Sequence, residues 1–269
     1  MLAPPMRFDV ITLFPELFTP FFESGVTRRA FEPGGPVAVR LWNLRDHAEG
    51  NYRRVDDRPF GGGPGMVMMA EPLARCLAAV RASRSAEGAD GGAGPAPVVL
   101  FSPTGERIAH PLVEREAAPG QPGAILLCGR YEGLDQRFID AHVDQQWSLG
   151  DFVLSGGEIA ALAVLDAVAR LQPGVLGDAG SHQEDSFNPA LDGLLDCPHY
   201  TRPEVWEGQP VPAELLSGHH ARIARWRREQ RLAATARLRP ELIAAARAQG
   251  RLGQVDEDFL LRLGASRPG

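Results

Sequence analysis

An α/β fold with a largely parallel sheet, followed by a small all-helical domain, is what this chain of 269 residues predicts. Three observations lead there. Short apolar runs recur between segments of helical spacing; the periodicity lapses in a polar stretch near residue 180; and the remainder is helix-rich and crowded with arginine.

The runs are "RFDVITLF" (7–14), "VAVRLW" (37–42), "PVVLF" (97–101) and "AILLCG" (124–129). Their length and β-branched content read as strands buried on both faces, which is the pattern of a parallel sheet covered by helices. Between the second and third lies "NLRDHAEGNYRRVDDRPFGGGPGM", too long for a simple turn and therefore a candidate functional loop. The stretch "ASRSAEGADGGAGPAP" (82–97) is low in complexity and reads as a flexible surface insertion. "EIAALAVLDAVARL" is a core-facing helix, with Ile159, Leu162, Ala163, Leu165 and Ala169 as its apolar stripe and "QPG" as its stop. Next, "LGDAGSHQEDSFNPALDG" is rich in turn formers and reads as a linker.

With 44% hydrophobic and 23% charged residues the chain is globular. Its net charge of −6 argues against binding nucleic acid through the overall field, so only a local basic patch could do it. Such a patch exists: between Ala221 and Arg251 nine Arg stand against two Glu, a local excess of seven positive charges, with Trp226 among them. The run suits a solvated helix face or a partner interface equally well, and the aromatic ring among the charges tilts the reading toward RNA. All 28 basic residues are Arg; without Lys there is no Walker-type phosphate loop and no Schiff-base lysine. Three well-separated cysteines suggest neither a disulfide framework nor a zinc site, and His199, His219 and His220 are not spaced with acids or thiols as metal ligands. No apolar run has signal-peptide or membrane-span character, which predicts a soluble cytoplasmic protein with no membrane partner.

"WSLGDFVLSGGE" (147–158) admits two readings. It is an ordinary strand-to-helix turn capped by Ser155, or a backbone cradle for a planar ligand such as adenine. Two further turns of the same type, "LFSPTGE" (100–106) and "CGRYEGLD" (128–135), also follow apolar strands, and three such turns at carboxyl ends of one sheet make a pocket plausible. On spacing alone Asp185 is a solvated acid and Arg170 an i,i+4 partner of Asp166.

Taken in order, "MRFDVITLFPELF", "VDDRPFGGGPGM", "SPTGE", "CGRYEGLD", "SLGDFVLSGGE", "EDSF", "GLLDCPHYTRPE" and "LSGHHARIARWR" resemble the bacterial tRNA (guanine-N1)-methyltransferases, the TrmD family, over nearly the whole chain. The resemblance implies a SPOUT-type trefoil-knotted parallel-sheet domain (1–177) that binds S-adenosylmethionine. A flexible linker (178–195) and a helical tRNA-binding domain (196–269) follow. It further implies a homodimer with shared active sites, and methylation at N1 of the guanine at position 37 of tRNA. Carried over by position, Leu100, Phe101, Ser102, Pro103, Gly129, Tyr131, Glu132, Leu149, Gly150, Phe152, Leu154, Gly156 and Gly157 contact the cofactor. Asp185 is the general base and Arg170 stabilises charge on O6. Asp56, Asp57, Arg58, Gly61, Arg222 and Trp226 touch the RNA. Mg²⁺ is a further cofactor of the family, with no dedicated ligand cluster in this sequence. Two departures stand out: Phe152 replaces a frequent Tyr, and "HAEGNYRRVDD" replaces the commoner "KHRTVDD". A knotted methyltransferase acting on another RNA nucleotide and a non-catalytic RNA-binding relative are the alternatives; a nicotinamide oxidoreductase lacks its G-x-G-x-x-G.

Overall fold

The structure, a computed structural model, describes residues 5–89, 94–177 and 182–265; Asp90 to Ala93 of the expected insertion and 178–181 of the expected linker lie outside the described residues. The chain divides into two compact units, Met1–Gly177 and Asp178–Gly269.

Along the first unit run β1 (Met6–Thr12), α1 (Thr19–Phe22), α2 (Arg28–Phe31), β2 (Val37–Asn43), β3 (Asp56–Asp57), β4 (Val67–Met68), α3 (Ala70–Ala86), β5 (Val98–Arg107), α4 (His110–Ala117), β6 (Ile125–Leu127), α5 (Gln136–His142), β7 (Gln145–Ser148) and α6 (Glu158–Arg170). The central sheet has five strands in the order β2-β1-β6-β5-β7, every neighbouring pair parallel. Each apolar run of the sequence supplies a strand. The edge strand β7 is not among those runs, because "QQWS" is short and half polar; only the strand-to-helix reading of the turn that follows it implies a strand there. β1 is buried along its whole length. Its alternate residues serve two cores, as the two-residue period of a strand requires. Phe8 and Val10 face α4 and α6 through Leu112, Val113, Val164 and Val168, whereas Ile11 joins Leu73, Leu77, Val80 and Phe138 of α3 and α5.

The structure departs from the sequence reading at α6 and at the end of α3. The apolar stripe of α6 is rotated: Ala160, Ala161, Val164, Leu165, Val168 and Ala169 are buried, while Ile159 is 58% exposed and Ala163 is exposed. With so few polar residues the helix carries no phase of its own, so the neighbouring sheet selects the buried face. The supposed surface insertion also begins as helix. Residues 82–86 close α3, and Arg84 is 1% exposed, donating from Nη1 to the Arg7 carbonyl (3.0 Å) and to Asp9 Oδ2 (2.8 Å).

In the second unit, a two-stranded ribbon of β8 (Val205–Trp206) and β9 (Gln209–Pro210) and the short α7 (Ala213–Leu216) precede α8 (His220–Leu238), α9 (Pro240–Ala248) and α10 (Gln254–Ala265). Leu194, Leu232, Ile243 and Ala246 form its core. Leu194 and the turn that Asn188 caps through Ala190 N (2.8 Å) belong to this unit as well. Much of the arginine excess is neutralised internally. Arg228 bonds Asp192 (2.7 Å) and Asp256 (2.9 Å), Arg231 bonds Asp196 (3.2 Å), Arg247 bonds Glu257 (2.7 Å), Arg225 bonds Glu229 (3.1 Å) and Arg239 meets Glu241. Among the described residues, Arg222, Arg227, Arg237 and Arg251 make no ion pair and carry the open positive charge of this region. No helix among the described residues is long and apolar enough to cross a membrane.

Candidate active site

A bulge within β5 and the turns that follow β6 and β7 line one cavity of about 550 Å³, a size suited to a small-molecule ligand; the first of the three expected turns is thus an interruption of its strand and not its end. All thirteen positions expected around the cofactor line it: Leu100, Phe101, Ser102 and Pro103; Gly129, Tyr131 and Glu132; and Leu149, Gly150, Phe152, Leu154, Gly156 and Gly157. Each turn has its own reason for its shape. In β5 the register shifts between Phe101 and Glu106, both opposite Trp147, so Ser102 to Gly105 bulge from the strand. Ser102 Oγ lies 2.8 Å from Thr104 Oγ1, which donates to Gln146 Oε1 (3.0 Å) and ties the bulge to β7. After β6 the chain reverses at Tyr131, whose φ of 60° is left-handed. Glu132 N donates to the Met66 carbonyl (3.0 Å), and Gly133 carbonyl accepts from Met68 N (2.9 Å). After β7, Ser148 Oγ donates to the Gly150 carbonyl (3.1 Å).

The third turn starts α6 without help from Ser155. The helix cap is Gly157, and it has no side-chain cap bond, so the capping role expected of Ser155 does not hold. Gly157 is there for close approach: its N donates to the Gly129 carbonyl (3.1 Å), and a Cβ would stand 2.7 Å from the Cys128 Cα. Backbone cannot yield as a side-chain end can. Gly157→Ala is therefore expected to spread the turns after β6 and β7, costing about 1–3 kcal/mol of stability and weakening ligand affinity; calorimetric titration of this variant with S-adenosylhomocysteine checks it, and wild-type affinity would contradict the argument.

Arg130 and Glu132 are the charged side chains of the cavity lining. The Cys128 thiol directly behind Gly129 is pushed up strongly, by burial first and then by the charge of Glu158, with Arg130 opposing. It is an inert packing group and supplies no thiolate nucleophile. Cys76 is likewise pushed up to about 12 by burial and Asp46. Thr104, Arg130, Gly133, Leu134, Gln136, Ile139, Gln146, Val153 and Ser155 also line the cavity and were missed. Several stand inside the quoted motifs; Gln136 and Ile139 of α5 carried no sequence signal.

The remaining expected residues lie outside the lining. Asp56 and Asp57 form β3, paired antiparallel with β4, and Arg58 and Gly61 occupy the loop between them. Asp57 Oδ1 accepts from Arg54 Nη2 (2.9 Å) and Arg58 N (2.8 Å). This glycine-rich loop reaches the cavity wall at Gly65 (φ 76°), where a Cβ would collide with the Glu132 side chain. Arg170 ends α6 in the first unit. Asp185 is half-buried in the second, its carbonyl accepting from Asn188 N (3.2 Å). Arg222 and Trp226 lie on α8, with Trp226 edge-on to Tyr200 at 6.1 Å between ring centroids.

His199, expected to stand apart from acids and thiols, does not. Asp196, Cys197 and His199 offer ligand atoms within 4.8 Å of one another. That group does not fit Mg²⁺, which demands an octahedron of oxygens: it offers one carboxylate, and Asp196 already accepts from Cys197 N (2.7 Å) and Arg231 Nε (3.2 Å) and meets His199 Nε2 (2.8 Å).

Comparison with known proteins adds the following. The family described as tRNA (guanine-1)-methyltransferase TrmD matches residues 6–245. The tRNA (guanine-N(1)-)-methyltransferase of Paracidovorax citrulli is 72% identical over 258 residues, covering 96% of this chain and 98% of its own. Its namesake in Polaromonas is 71% identical over 96% of this chain and 97% of its own, and that of Cupriavidus metallidurans 56% over 97% and 96%.

Proposed function

Because the chain belongs to the TrmD family of tRNA (guanine-1)-methyltransferases, we propose that it is the enzyme that moves a methyl group from S-adenosylmethionine to N1 of guanine 37 of tRNA. The observation that carries this reading most is the cavity lined by the β5 bulge and the turns after β6 and β7, in a chain whose relatives at 56–72% identity bear that enzyme's name.

The lining suits the donor. Main-chain groups at Leu100–Pro103 and Leu149–Leu154 read the adenine, and Gly156 and Gly157 let the turn before α6 pack closely on the end of β6, which shapes the pocket. When bound, S-adenosylmethionine supplies a methyl already activated by its sulfonium, so the protein's task is to make guanine N1 nucleophilic and to align it. Guanine N1 holds a proton at neutral pH. Asp185 removes that proton, and Arg170 stabilises the negative charge that then develops on O6. The loop with Asp56, Asp57, Arg58 and Gly61 places the guanine, while Arg222 and Trp226 on α8 grip the RNA by charge and stacking. Asp185 belongs to a different unit from the cavity. A base that is delivered only with the correct RNA couples substrate choice to chemistry. We further propose a trefoil-knotted first unit, a homodimer with shared sites and a cytoplasmic location. The three free, buried cysteines suit a reducing compartment. No step is assigned to Mg²⁺.

Methyl transfer to a tRNA transcript bearing guanine at position 37 is expected, with none to the same transcript bearing adenine there. Primer extension locates the product, since N1 methylation blocks base pairing; a stop elsewhere would replace this reading with a methyltransferase for another nucleotide.

A further inference from the structure

Beside the cavity, and within the first unit, lies a buried ion pair that the reaction as described leaves unused. Glu158, the first residue of α6, is 1% exposed; Arg130, in the turn after β6, shows 20% of its side chain. Arg130 Nε donates to Glu158 Oε1 (3.2 Å), its Nη2 lies 2.9 Å from Oε2, and its Nη1 donates to the Ser155 carbonyl (3.3 Å). Thr12 Oγ1, at the end of β1, donates to Glu158 Oε1 (2.8 Å), and the guanidinium lies 4.4 Å over the Phe14 ring.

We propose that Arg130 and Glu158 are positioning residues for the methyl donor: their pair sets the spacing of two adjoining turns that both line the cavity. The inference rests on the proposed function and deepens it. Its geometry has three parts. Arg130 lines the cavity whereas Glu158 does not, so Glu158 acts through Arg130. Arg130 is also bridged backbone to backbone with Gly156, and a Cβ on Gly156 would collide with the Arg130 and Glu158 side chains, so the pair lies flat against the turn before α6. Finally, Nε, Nη1 and Nη2 each face Glu158 or the Ser155 carbonyl, which holds the guanidinium against the two turns. A buried ion pair is a poor source of net stability, since desolvating both charges offsets most of their attraction. What it does supply is direction. The fork of Arg130 fixes the angle between a strand-end turn and a helix start, and apolar side chains of equal volume would leave that angle loose.

The test uses the full chain with S-adenosylhomocysteine as calorimetric probe, together with steady-state kinetics and thermal unfolding. Glu158→Gln keeps the shape and removes the charge; it is expected to weaken probe affinity about tenfold, the loss of roughly one charged hydrogen bond. KM for S-adenosylmethionine should rise in step while KM for tRNA stays put. The double variant Arg130→Met with Glu158→Leu is expected to unfold as the wild type does yet keep the weakened affinity. Affinity within twofold of wild type in Glu158→Gln, or recovery of both affinity and Tm in the double variant, overturns the proposal and leaves the pair a packing feature. Should Glu158→Gln fail to fold, Arg130→Lys, which keeps the charge and loses the fork, takes the same readout and the same thresholds. A wild-type protein that does not bind the probe would refute the proposed function itself, a result distinct from any of these.

Discussion

Asp185→Ala is expected to slow methyl transfer by about 10²- to 10⁴-fold, the usual contribution of a positioned general base, while affinity for S-adenosylhomocysteine stays that of the wild type. The two halves of this prediction come from different facts. Guanine N1 carries its proton at neutral pH, so without a base the attacking lone pair is unavailable. The cavity, by contrast, is built wholly from residues 100–160 of the first unit, and Asp185 belongs to the second. Single-turnover transfer from labelled S-adenosylmethionine, with calorimetry on the same preparation, reads both. Full activity in Asp185→Ala would remove it from the reaction; loss of donor affinity would show that it shapes the cavity instead.

The second large effect is on stability. Asp9 lies fully buried in β1 and collects four donors: Arg7 Nε (2.9 Å) and Nη2 (2.7 Å), Arg84 Nη1 (2.8 Å) and Trp42 Nε1 (2.8 Å). Arg7 and Arg84 are 4% and 1% exposed, so neither can turn to water when its acid is gone. Asp9→Asn removes the charge while keeping the volume, and breaking a buried pair in this way costs about 3–5 kcal/mol. Thermal unfolding should show a fall in midpoint on the order of 10 °C. Glu87→Gln is the control. Glu87 meets Arg40 and lies 3.3 Å from Arg7, but its side chain is 42% exposed, and surface pairs contribute about 0–1 kcal/mol. Equal losses from the two variants would show that burial is not what gives the Asp9 cluster its weight. The cluster also ties β1 to the end of α3 and, through Arg84 Nη2, to the Pro122 carbonyl (2.7 Å) ahead of β6.

Legibility followed length and contrast. "RFDVITLF" announced β1 because it is long and β-branched, whereas "QQWS" did not announce β7, whose strand character comes from pairing with β5. Arg84 looked like part of a polar insertion, and only the sheet beneath it shows that its guanidinium is buried. His199 was not spaced as a metal ligand in the sequence, yet its Nε2 lies 2.8 Å from Asp196 Oδ2, three residues before it. The excess of arginine between Ala221 and Arg251 overstates the open charge of the helical unit, since Asp192, Asp196 and Asp256, which lie outside that stretch, pair with Arg228 and Arg231.

By itself the sequence determined what depends on local chemistry: the α/β class, the parallel sheet, the three glycine-bearing turns and, through long ordered motifs, the family. Tertiary structure alone decided which face of α6 is buried, that Gly157 rather than Ser155 begins that helix, and that Arg130 and Glu158 meet beside the cavity. The reason is physical. Period and propensity are properties of neighbours in the chain, whereas burial and ion pairing depend on segments as far apart as Thr12 and Glu158 coming into contact, and no single segment records that contact.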